Sequence, residues 1–237
     1  MFLSFFSLED FKKGQVLLFD KPLEWTSFQL VNKVRWLIKK NYGIKKIKVG
    51  HAGTLDPLAT GLLIICTGKF TKTIHEIQGL PKEYTGTIRF GATTPSYDLE
   101  TDIDKTYPIN DLQPEIIKAK AACFEGDIIQ KPPVFSALKK DGKRLYEYAR
   151  KGQEIKIEGR PVRIDEFSIG KINLPDVEFK VKCSKGTYIR SLAHDLGQAV
   201  NNGAHLTELR RTKIGDFNIE NAYTLDTFIA KLPKDLS

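Results

Sequence analysis

The apolar residues of this chain come in short runs broken by glycine and proline, and that patterning limits what it can fold into. QVLLFD (15–20) is closed by Lys21 and Pro22, and LLIIC (62–66) is short, apolar and partly β-branched; both read as buried strands. KEYTGTIRFG (82–91) alternates so that Tyr84, Ile88 and Phe90 share one face, and strand-like runs recur at 161–169 and 177–183. Helical patterns lie between them. One follows a cap at Thr26 or Ser27, with Leu30, Val31, Val34, Leu37 and Ile38 near helical spacing and Gly43 soon after its end. A second opens at Pro114, runs through Phe124 and is closed by Gly126; a third carries the stripe Ile189, Leu192, Ala193, Leu196 and Val200. HLTELRRTKIGDFNI (205–219) reads as a turn into a final strand. Strands and helices mix without a βαβ rhythm, which predicts an α+β fold rather than a doubly wound sheet.

At 237 residues the chain is long enough to bury a substantial core, and it shows no repeat, low-complexity tract or linker that would split it. A single domain over 1–237 is expected. The start, MFLSFFSLEDFKKG, lacks a basic n-region and soon turns acidic, so it reads as a short amphipathic element packed on the body, not a secretory signal. No stretch is long enough to span a bilayer, and Cys66, Cys123 and Cys183 form neither a disulfide framework nor a CxxC pair. These features predict a cytoplasmic protein, read as a monomer, with no membrane partner.

Charge points to a polyanion. Lys and Arg number 37 against 29 Asp and Glu, a net +8, and Lys39, Lys40, Lys45, Lys46 and Lys48 crowd one segment where they could contact phosphates. QKPPVFSALKKDGKRLYEYARKG (130–152) interleaves basic residues with aromatics around a Lys-Lys-Asp-Gly turn, as a protruding nucleic-acid-binding loop would. Common cofactor motifs fail. TGKFTKT lacks phosphate-loop spacing and has no Ser or Thr after Lys69, there is no GxGxxG, and His51, His75, His194 and His205 are not spaced as metal ligands. No cofactor and no metal are expected.

GHAGTLDPLATG (50–61) holds one acid, Asp56, in a glycine-framed loop without a second carboxylate beside it. Taken alone, Asp56-Pro57 is an ordinary helix start, with Asp as N-cap and Pro in the first turn. The rest of the chain gives it another reading. GHAGTLDPLATGLL closely resembles the signature loop of the TruB family of pseudouridine synthases, which isomerise uridine 55 in the T loop of tRNA. LLFDKPLEWTS, KEYTG, the 130–152 segment, GTYIRSLAHDLG and HLTELRRT resemble the family's further blocks, in its order, over residues 14 to 220.

The resemblance implies a pseudouridine-synthase-like mixed, mainly antiparallel sheet flanked by helices and loops. It implies that Asp56 is the catalytic nucleophile, which makes a solitary carboxylate intelligible, because the reaction needs one nucleophile and not an acid/base pair. Substrate-binding roles carry over to Tyr84, which stacks on the flipped base, and to Arg190, which pairs with the aspartate. Tyr188 and Leu209 would line the base pocket, Asp98 would contact the flipped nucleotide, and His51 would help displace the target base. Asp20 and Lys21 would support the loop from the neighbouring strand end. Residues 130–152 would form a thumb that is mobile without RNA and closes on the T arm, and 221–237 a short tail without the PUA-type RNA-binding domain of longer members. The same surface would also suit a tRNA-folding chaperone without catalysis, and base flipping is shared with base-excising glycosylases.

Overall fold

The computed structural model describes residues 6–136, 138–140, 142–149, 153, 155 and 157–233. The chain gathers into two compact units, one of residues 1–82 with 210–237 and the other of residues 83–209. No described helix is long and apolar enough to cross a membrane.

The first unit is built on the strand Ala59–Thr67, which is buried along nearly all its length. Leu63 and Ile65 point into one apolar cluster, and Leu62, Ile64 and Cys66 into another. A strand covered on both faces is why LLIIC reads as a continuous apolar run rather than an alternation. It pairs antiparallel with Val16–Lys21, in the register Val16 with Cys66 to Lys21 with Gly61, and with Val49–His51. The helix Ser27–Asn41 lays the expected stripe Leu30, Val31, Val34, Leu37 and Ile38 on the first cluster. Thr26 caps it through a reciprocal pairing with Gln29. The short helix Leu8–Lys13 packs by Phe11, as the amphipathic start implied. The end of the chain also joins this core. In the helix Leu225–Ile229, Phe228 is fully buried, with its ring 5.1 Å from that of Phe19. Residues 234–237, the last of the expected tail, lie outside the described residues.

In the second unit the strand order is 204–209, 83–90, Asp176–Cys183, Arg160–Asn173 and Gly126–Gln130, with antiparallel pairing of the last three. Ile88, Phe90, Ile164, Phe167, Val177, Phe179 and Val181 are buried on it. The helix Pro114–Ala122 packs on Arg160–Asn173 and also touches the helix Ile189–Ala199. The fold is α+β with a mainly antiparallel sheet, as the unrhythmic mixture of elements predicted.

Three local expectations are corrected. Residues 205–219 are not a turn into a strand: Ala204–Ile214 is itself an 11-residue strand, followed by the short partner Phe217–Asn218. The helix from Pro114 ends at Ala122, and Gly126 begins a strand at φ +101° instead of closing the helix. Asp56-Pro57 starts no helix; the chain makes a single turn, with the Ala59 N–H donating to the Asp56 carbonyl at 3.1 Å, and enters the strand Ala59–Thr67. Gly61 explains why. It sits at φ +101°, and a Cβ there would come within 2.3 Å of the Arg211 carbonyl oxygen, a close approach of two strand backbones that no helix could make.

Candidate active site

Strand alternation decides what lies beneath Asp56. In Val16–Lys21 the buried positions are Leu17, Phe19 and Lys21, so the period of two turns a lysine inward with the apolar residues. Lys21 is fully buried. Its Nζ donates to the carbonyls of Pro22 at 2.8 Å, Trp25 at 2.6 Å and Pro57 at 3.3 Å, which ties the strand end to the residue after Asp56. Burial pulls its pKa down to about 8, opposed by the charges of Asp56 and Asp20 and assisted by that of Arg211.

A second buried cation holds the other side of the loop. Arg211, 1% exposed, donates from Nε to the Leu62 carbonyl at 2.8 Å, from Nη2 to Gly53 at 3.0 Å and from Nη1 to Thr54 at 3.4 Å. Ser27 completes the cradle: its Oγ accepts from the Leu55 N–H at 2.8 Å and donates to the Leu55 carbonyl at 3.1 Å. Backbone on both sides of Asp56 is thus fixed by side chains from three elements, and the charge of the half-buried Asp56 acts on the buried Lys21. Asp20 is held apart from this cradle by Arg210, through two bonds of 3.0 and 2.7 Å. His51, half-buried on Val49–His51, is pushed below its ordinary pKa by burial first and by Arg211 second, so it is neutral at pH 7.

The second unit carries the other expected residues. Tyr84 is buried in its strand, as is Ile88 on the same face. Arg190 is buried one residue into the helix Ile189–Ala199, donating to the carbonyls of Ser96 at 3.1 Å and Phe135 at 2.9 Å. Its Nε lies 3.6 Å from Asp98 Oδ2, and Asp98 also accepts from the Glu100 N–H at 3.0 Å. Arg190 and Asp98, expected from separate blocks, are therefore brought together. Tyr188 stands just ahead of the helix, its N–H and carbonyl both held by the Gln130 amide at 2.8 and 3.0 Å. Leu209 is half-buried. Of the 130–152 segment, residues 137, 141 and 150–152 lie outside the described residues; the rest holds the antiparallel pair Lys139–Lys140 with Lys143–Arg144 and the short helix Leu145–Ala149.

Sequence reading missed Arg211, Ser27 and Gln130. Arg211 gives a faint signal as the second arginine of LRRT in an otherwise strand-like run; Ser27 carries only the signal of a helix cap. Among the described residues no three His, Cys, Asp or Glu side chains gather as a metal site.

The model of the TruB family pseudouridylate synthase N-terminal domain matches residues 39–189, and that of the tRNA pseudouridylate synthase B C-terminal domain matches residues 190–234. The chain is 61% identical over 221 residues to the tRNA pseudouridine synthase B of Flavobacterium johnsoniae, covering 93% of this chain and 96% of that one. It is 55% identical over 219 residues to the corresponding synthase of Phocaeicola vulgatus, covering 92% and 93%. The fold resembles a chain in the crystal structure of a Cbf5-Nop10-Gar1 complex, with TM-score 0.70 and 31% identity over 93% of this chain and 54% of that one. The chain belongs to the TruB family of pseudouridylate synthases.

Proposed function

We propose that this protein converts uridine 55 in the T loop of tRNA to pseudouridine, by flipping the base out of its stack and using Asp56 as nucleophile. Pseudouridine formation in tRNA goes with the family and its named relatives. The observation that carries the finer reading is the cradle around Asp56: Lys21, Ser27 and Arg211 hold the neighbouring backbone and leave the only acid of the loop half-buried.

The reaction breaks the N1–C1' bond, turns the uracil and joins C5 to C1'; the C5 proton leaves and N1 takes one up, so the product has the mass of the substrate. Attack on C1', attack on C6 and a glycal route each use the Asp56 carboxylate. Tyr84 stacks on the flipped uracil, Tyr188 and Leu209 line its pocket, and Arg190 pairs with Asp56. Asp98, beside Arg190, contacts the flipped nucleotide. His51, being neutral, displaces the target base by stacking rather than by charge.

The test is incubation of unmodified tRNA transcript with wild type and Asp56→Asn, followed by carbodiimide mapping. The expected result is a mass-silent, carbodiimide-reactive nucleotide at position 55 with wild type and none with the variant. Free uracil would instead mark a glycosylase, and unmodified but refolded RNA a chaperone.

A further inference from the structure

The chain's excess charge is not spread over it. From Trp25 to His75 there are nine lysines and arginines and one acid, Asp56, so this stretch alone carries +8, the net charge of the entire protein. The whole stretch lies in the first unit. Lys39, Lys40, Lys45, Lys46 and Lys48 are exposed, and among the described residues none of them, nor Lys33, is in an ion pair. A stretch of ordinary solvated charges mixes signs; this one does not.

Within that stretch the helix Ser27–Asn41 has two distinct ends. Its start is bonded to the Asp56 loop through Ser27 and Leu55. Toward its far end Trp36 is half exposed, with Lys33 Nζ 4.7 Å and Lys40 Nζ 5.4 Å from the ring centroid. The ring restrains two long, rotamer-rich side chains by cation–π contact, lowering the entropy lost when their ammonium groups meet an anion. Arg35 cannot join them, because its guanidinium is bonded to Asn32 at 2.6 Å and to the Val49 carbonyl at 2.8 Å, fixing the helix to the His51 strand. At 1.5 Å per residue the helix is a ruler: Lys40 stands about 20 Å along the axis from Ser27.

Resting on the reading of Asp56 as the target end, we propose that the Trp36 face, through Lys33 and Lys40, which stand about 9 and 20 Å along the helix axis from Ser27, binds the phosphate backbone of a tRNA stem. That span is several stacked base pairs, so the ligand is paired RNA beyond the loop, not the loop itself.

Binding of the full-length protein, wild type and Lys33→Gln/Lys40→Gln, is measured against salt with two RNAs: the unmodified tRNA transcript and a T-arm hairpin whose stem is cut to three base pairs. On tRNA the double variant is expected to bind about tenfold more weakly, with a slope of log affinity against log salt shallower by about 1.8, the value for two lost phosphate contacts. On the short hairpin the two proteins should bind alike. Lys33→Arg/Lys40→Arg should keep wild-type affinity, and Trp36→Leu, which keeps both charges, should give an intermediate loss. Equal losses on both RNAs, or none on either, would overturn the proposal. Wild-type pseudouridine formation on the tRNA is scored in parallel, so failure of the enzymatic reading is seen separately from failure of this contact.

Discussion

Arg211 donates to the carbonyl oxygens of Gly53 and Leu62, one on each side of Asp56, from a position that is 1% exposed. A guanidinium spends its donors in a fixed plane, so two backbone segments bonded to one such group are locked relative to each other. Arg211→Met keeps much of the volume and removes every donor. With those carbonyls left buried, the variant is expected to lose about 3 kcal/mol of stability. Urea unfolding should show a lower midpoint at unchanged m, and Arg211→Lys, with a single point of donation, should recover only part of it.

This contact also marks where sequence reading stops. The strands 15–20 and 82–91, the capped helix from Thr26 and the stripe from Ile189 follow from patterns of period two and 3.6, and the structure bears them out. Resemblance named Asp98 and Arg190 separately, but nothing in the sequence put them side by side, since 92 positions separate them and no local pattern joins them. Arg211 and Gln130 act through backbone atoms of distant segments, and a backbone carbonyl carries no residue-specific mark in a sequence. The Asp-Pro pair misled as a helix start because Asp and Pro suit a tight turn equally well, and what decided between them was the approach of the Arg211 backbone to Gly61.

Tyr97 and His194 stack with ring centroids 4.0 Å apart and planes 15° from parallel. Tyr97 takes φ +64°, a left-handed backbone unusual for an aromatic residue, and its carbonyl accepts from the Leu206 N–H at 2.9 Å. His194 lies one helical turn beyond Arg190, and Tyr97 immediately precedes Asp98, so the stack holds together the two segments that bring that ion pair about. His194→Ala should cost about 1 kcal/mol of stability. If Asp98 acts on the nucleotide, the loosened turn should also lower kcat/KM on tRNA about tenfold, equivalent to roughly 1.4 kcal/mol. His194→Phe, which can still stack, should keep both, as read by thermal unfolding and by steady-state pseudouridine formation.

Asp195, next on the same helix, gives a pH signature of its own. Burial pushes its pKa up from the ordinary 3.8 to about 6, with the charge of Lys131 pulling partly the other way. Between about pH 4 and pH 6 the folded protein therefore keeps a proton that the unfolded chain has released. Stability contributed by this group falls as pH rises through that window, and the cost of a buried charge is fully present above it. Asp195→Asn stays neutral throughout. Its stability relative to wild type should rise from pH 4 to pH 6 and level off above, because subtracting the two curves cancels the other titrations. Chemical denaturation of both proteins at pH 4, 5, 6 and 7 measures it, and a difference that stays flat across that range would mean the carboxyl ionises in the fold as readily as in water.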